Sequence, residues 1–178
     1  MPSHVLAAFN ENAFLGGPNA PLQATAVASL TLLVKHILTV FVQGGARFGA
    51  GMRPPEDVCF MPKAGKQSFD GTAKAAERGN EDKALKKALQ NEQRWTRIVA
   101  NDLENIPLGL IIAWGSLQSP RSPPAHVVLV LAFTVSRILH TVTYAAGKQP
   151  HRALAFFGGV LAVVGMGVNG VLGAFAKK

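Results

Sequence analysis

The chain has 178 residues, 48% of them hydrophobic and only 16% charged, with a formal charge of +8. That length suits one domain, and the apolar residues fall in blocks and do not alternate, which argues against a soluble protein. The basic residues are not interleaved with aromatics, so no nucleic-acid partner is expected. The charge is better read through the positive-inside rule. A single cysteine, Cys59, excludes an internal disulfide and a cysteine-based metal site, and no metal is expected. With no partner pattern around it, Cys59 reads as an inert loop thiol. The N-terminus has no basic stretch leading into an apolar core, so no cleavable signal peptide is expected.

Residues 1–22 mix Pro, Gly and Asn with scattered apolar side chains and read as a short extramembrane tail. Residues 24–48 form the first expected span, interrupted only by Lys35 and His36. Lys35 lies too deep to snorkel well, so it is expected to face other helices as a packing partner. Gly44, Gly45, Gly49 and Gly51 loosen the end of that helix, and Pro54-Pro55 stops it. The polar loop over residues 49–94 is short enough to obey the positive-inside rule, which places it in the cytosol. Within it, Lys83–Gln93 reads as an exposed helix leading into the second span, residues 95–117, which Trp95 and Trp114 bracket. Gln118–Pro124 is a tight connection, followed by a third span at 125–144 and a fourth at 152–175. The fold expected is therefore all-α, an integral membrane four-helix bundle. Four spans put both termini on the non-cytosolic side. Gly165–Gly170 fits a GxGxxG pattern but neither follows a strand nor opens a helix, so the glycines of the fourth span read as packing positions.

The second span organises the rest. At helical spacing, Arg97, Asn101, Glu104 and Leu108 share one face, and Asp102, Asn105 and Gly109 form the adjacent stripe. Its apolar part, Leu108–Leu117, is too short to cross a bilayer alone, which takes about 20 residues. If the helix spans, its polar half must face other helices or a wet cavity. The third span repeats the arrangement with Arg137, His140, Thr141 and Tyr144 at i, i+3, i+4 and i+7. An arginine that deep needs a partner, for which Glu104 or Asp102 is the candidate; a buried ion pair that fixes helix register is the plain alternative. Arg152 follows a short turn at the start of the fourth span, where lipid phosphate could engage it. Together with Arg47, Arg97 and Arg137 it would instead make a cluster that binds an anion and stabilises a thiolate.

Asn101-Asp102-Leu103-Glu104-Asn105, preceded by Arg94 and Arg97, resembles the signature of the MAPEG family, the membrane-associated proteins in eicosanoid and glutathione metabolism. Arg47 followed by Arg53-Pro54-Pro55-Glu56-Asp57, the Arg137–Tyr144 stripe and Gln149–Phe157 are similar to it in the family's order, over about Thr31 to Phe157. Within the family the likeness is to the microsomal glutathione transferase and membrane prostaglandin E synthase branches. The resemblance implies a homotrimer in the endoplasmic reticulum, with glutathione held between neighbouring subunits near the cytosolic side. Arg47, Arg97, Asn101, Glu104, Arg137, His140 and Tyr144 would contact or brace glutathione, Arg152 would hold its sulfur as the thiolate, and Asp57 would assist near the thiol. The chain departs from the pattern at Val99 and Ala100, where relatives carry histidine and a basic residue, and in its longer loop between Asp57 and Arg94.

The chemistry implied is attack by the thiolate on a lipophilic electrophile that reaches the site from membrane lipid. A transferase is expected, with glutathione peroxidase activity as an extension. The alternatives are a prostaglandin E synthase-like isomerase, a non-catalytic lipid-binding scaffold and, more weakly, an ion channel. The electrophile itself is not written in the apolar residues of such a site.

Overall fold

The computed structural model describes residues 17–79 and 82–176; part of the expected N-terminal tail lies outside them. Among the described residues the fold is all-helical. Its α-helices are α1 (Ala20–Ala50), a short α2 (Thr72–Arg78), α3 (Lys83–Ser116), α4 (Pro123–Ala145) and α5 (His151–Ala176). Two short 3-10 turns, Pro55–Cys59 and Pro62–Ala64, occupy the loop after α1. The helices α1, α4 and α5 are long and apolar enough to cross a membrane. The helix α3 does not reach that composition, because its apolar end is joined to a longer polar run. The exposed helix expected at Lys83–Gln93 and the second span are one continuous 34-residue helix, with Pro107 inside it.

Local chemistry sets the boundaries. The glycines near the end of α1 do not break it; the helix persists to Ala50 and stops at Gly51, whose φ of 77° is left-handed. Asp82 opens α3 by accepting the amides of Ala84 and Leu85 at 2.7 and 3.4 Å. Ser122 caps α4, with Pro123 and Pro124 in its first turn.

The chain divides into two compact units, one within Met1–Lys35 and Asp102–Lys178, the other His36–Asn101. The core of the first draws on four helices: Ala28 and Leu32 of α1, Ile106 and Ala113 of α3, Val130 and Phe133 of α4, Ala162 and Met166 of α5. Many large apolar side chains of α1, α4 and α5 point outward instead, among them Phe41, Val128, Leu161 and Phe175. Two buried polar side chains at one end of this unit are matched: His126 takes Thr25 Oγ1 at 3.0 Å and Ser116 Oγ at 3.4 Å. Asn169 of α5 accepts the Ser122 amide at 2.9 Å and donates to its carbonyl at 3.1 Å. The packing role expected for the α5 glycines is visible at Gly173, where a Cβ would lie 1.9 Å from the Ser119 carbonyl oxygen.

In the second unit, residues 64–74 fold back onto the end of α1. The Lys74 ammonium, buried, donates to the carbonyls of Phe48, Gly49 and Ala64 at 3.3, 2.8 and 2.6 Å. Those are carbonyls a helix end leaves without intrahelical partners. Burial pulls the Lys74 pKa below the ordinary lysine value, and the nearby Arg78 charge adds to that. Asp70 opens α2 and accepts from the Thr72 hydroxyl and amide and the Ser68 hydroxyl, which hold its carboxyl down at about 2.

One glycine tests the packing directly. A Cβ on Gly109 of α3 would lie 2.2 Å from the buried Phe133 ring, whereas one on Gly115 would meet nothing within 4 Å. Gly109→Ala should cost about 1–3 kcal/mol through overpacking and lower the apparent Tm in detergent. Gly115→Ala should leave it unchanged or raise it slightly.

Candidate functional site

The most buried charged group in the first unit is the Asp102 carboxylate of α3. It accepts from Arg137 Nη2 at 2.9 Å and from the Lys35 ammonium, with Asp102 fully buried and Arg137 1% exposed. Of the two acids the sequence offered to Arg137, the structure selects Asp102. Lys35 faces inward as expected, with Asp102 as its partner. The reason lies in the register of α3. Within this unit the helix turns its Asp102–Gly109 stripe inward together with Ile106 and Ala113, so Glu104 and Leu108 of the neighbouring stripe are exposed on the isolated chain. Asn101 is half-buried. Asn105, of the inward stripe and half-buried, lines a cavity of about 150 Å³ with Gly109, Phe133, Arg137 and Gly159.

One turn along α4 from Arg137, His140 is buried with its ring edge against Tyr144, centroids 5.6 Å apart, and tilted against Phe156 at 6.2 Å. His140 Nδ1 and Thr141 Oγ1 are buried with no hydrogen-bond partner among the described residues. Across the turn to α5, the Arg152 guanidinium stacks on the Tyr144 ring, 4.4 Å from its centroid. With its amide turned so that the oxygen faces Arg152, Gln149 accepts from Arg152 Nε at 3.1 Å and also from Nη2. His140, Tyr144 and Arg152 thus form one continuous contact at the α4–α5 turn. Arg137 and Arg152 are not joined in one anion cradle; each is committed to a different partner.

The second unit holds the other expected residues. Arg47 Nε lies 3.5 Å from Glu92 Oε1, and Glu92, buried, also accepts the Thr96 hydroxyl at 2.7 Å. Gln43 donates to that same hydroxyl at 3.0 Å. Asp57 pairs with Arg53 at 2.8 Å, one turn apart, and the Arg53 guanidinium covers the Phe48 ring at 4.9 Å. Arg97 is exposed. Cys59 is exposed at the end of its 3-10 turn, as expected of a loop thiol.

Two participants escaped the sequence reading. Glu92 was hidden in a stretch read as a solvated helix, although Glu92, Thr96 and Val99 repeat at a core-facing spacing. Gln149 stood in the motif without a role, and only the turn geometry brings it to Arg152. Among the described residues, no group of His, Cys, Asp and Glu could hold a metal ion.

The family model of the MAPEG family matches residues 25–172, which takes in all of these positions. No curated protein matches the chain.

A buried carboxylate shared by two cations makes a direct prediction. Asp102→Asn would take the carboxylate charge away from Lys35 and Arg137, and breaking such a pair should cost about 3–5 kcal/mol, read as a large fall in apparent Tm or loss of folded protein in detergent. Lys35→Met keeps the Arg137 pair and should cost much less.

Proposed function

The chain belongs to the MAPEG family, a group that includes glutathione transferases, isomerases and activating proteins, and on that premise we propose that it is a membrane-bound glutathione transferase. The observation that carries the reading is the Arg152–Tyr144–His140 contact. A guanidinium held in place by a ring and by Gln149 sits where an incoming sulfur would be met by a fixed positive charge. Such a cation favours the anion of a nearby thiol.

A free thiol with a pKa of about 8.5 is only a few per cent ionised at neutral pH. Lowering it by two units corresponds to about 2.7 kcal/mol and makes the thiolate the main form. The thiolate then attacks an electrophile dissolved in lipid, forming a carbon–sulfur bond as the leaving group departs with the bond pair. In a glutathione peroxidase reaction the sulfur attacks a hydroperoxide oxygen instead, and a second glutathione completes the reduction. The Tyr144 hydroxyl is free in its role of donor toward the sulfur, since the Arg152 contact uses the ring face.

Arg152 and Tyr144 are assigned to the sulfur end. His140, Asn101, Glu104, Arg47 and Arg97 are assigned to the peptide by the motifs they share with the family. Arg137 braces through Asp102, and Asp57 assists from the loop. The exposure of Glu104 and Leu108 on the isolated chain supports a homotrimer in which a neighbouring subunit covers that face. A fourth span through α3, an endoplasmic reticulum location and termini away from the cytosol belong to the same reading. Pro107 and the polar half of α3 would then be sheltered by protein and not by lipid.

Adding glutathione to purified protein in detergent should produce the ultraviolet absorption of a thiolate, and Arg152→Ala should abolish it while lowering turnover with a reactive aryl halide at least tenfold. Undiminished turnover in Arg152→Ala would remove the mechanism. Failure of the native protein to bind glutathione in a titration would favour the scaffold members of the family instead.

A further inference from the structure

We propose that Cys59–Phe69 is a membrane-surface anchor: Phe60, Met61 and Phe69 enter the boundary between headgroups and acyl chains while Lys63 and Lys66 engage the phosphates of acidic phospholipids. The inference rests on α1 crossing the membrane and is independent of glutathione.

The first support is the tether. Lys74 ties residues 64 and 74 to the last carbonyls of α1 through its three hydrogen bonds. Gln67 donates to the Phe48 carbonyl at 3.4 Å and to that of Gly65 at 3.0 Å. The Ser68 amide adds a bond to the Gly51 carbonyl at 3.0 Å. A loop fastened at several points to the end of a spanning helix moves with that end and stays beside the place where the helix leaves the bilayer.

The second support is what the loop exposes. Phe60, Met61 and Phe69 are 77%, 49% and 75% exposed, in a stretch outside every apolar helix. Large apolar side chains left outward in a segment that is otherwise pinned need a cover, and at this level the lipid interface is at hand.

The third is charge. Cys59–Phe69 contains two lysines, both exposed, and no acid. Of the acids around it, Asp57 is paired with Arg53, whereas Glu56 and Asp70 keep their charge at its two ends and Glu77 accepts the Lys66 amide at 3.1 Å, which leaves the Lys63 and Lys66 ammonium groups as the charges the segment itself presents. Basic residues beside a membrane-inserted apolar group are attracted by the anionic lipids of a cytoplasmic leaflet, each strengthening the hold.

Cys59, the chain's one cysteine and exposed, offers a labelling site next to Phe60 in the full-length protein. With an NBD fluorophore there, the protein is reconstituted into phosphatidylcholine vesicles, with or without about 20% phosphatidylserine, and iodide is supplied on both sides. The anchor predicts strong quenching by lipids spin-labelled near the headgroup and at least threefold protection from iodide, both greater with phosphatidylserine. Phe60→Ser with Phe69→Ser should restore iodide quenching, and Lys63→Gln with Lys66→Gln should remove the phosphatidylserine dependence. These side chains are exposed, so the variants should keep the native helical circular dichroism. Free access of iodide without lipid quenching would overturn the anchor, as would shielding from both, which would mean that protein covers the loop. A Leu33→Cys label in a Cys59→Ser background should be quenched by lipids labelled deep in the acyl chain. If it is not, the spanning premise and the anchor fall together, whereas glutathione turnover is read separately.

Discussion

A carboxylate placed in an apolar interior must be paired, and Asp102 is paired twice. Its bonds to Lys35 and Arg137 join α1, α3 and α4 through one buried point. Taking three charged groups from water is costly, so the arrangement adds less to stability than its short contacts suggest. Its consequence is geometric. With Asp102 inward, the rotation of this part of α3 is set, and so is the outward direction of Glu104 and Leu108. Every assignment of those residues to a ligand or a neighbouring subunit follows from that rotation.

The same constraint separates roles that look alike in the sequence. Arg137 and Arg152 are both arginines of apolar helices, the first inside α4 and the second in the first turn of α5. Arg137 is paired with Asp102, a buried carboxylate that balances its charge. Arg152 instead rests on an aromatic face and on an uncharged amide, neither of which neutralises it. A guanidinium without a carboxylate can still accept an anion, and that difference makes Arg152 the better candidate for chemistry. His140, between them in sequence, touches the Tyr144 side of the arrangement.

The longer loop shows a comparable economy. Its lysine ammonium occupies the place that a water, or the next turn of helix, would otherwise take at the end of α1. Gly51 makes that approach possible, since a Cβ there would come within 2.6 Å of Lys74 Cβ. The polar interior of this unit turns on Lys74 and Glu92, both buried, where composition alone suggested a solvated linker.

Composition and helical spacing were enough to determine an all-helical chain with long apolar segments, the inward-facing Lys35 and the need of Arg137 for an acid. These are local or pairwise demands: periodicity sorts faces, and a deep charge calls for its opposite. The ordered motifs were likewise enough to point to the family. Which of two adjacent stripes on α3 turns inward was not legible, because both are polar and about one helical step apart. That choice was made by Phe133 needing the bare backbone of Gly109 and by two cations reaching Asp102 together. The burial of Lys74 and Glu92, and the seat of Arg152 on Tyr144, depend in the same way on groups brought together only when the chain folds back on itself.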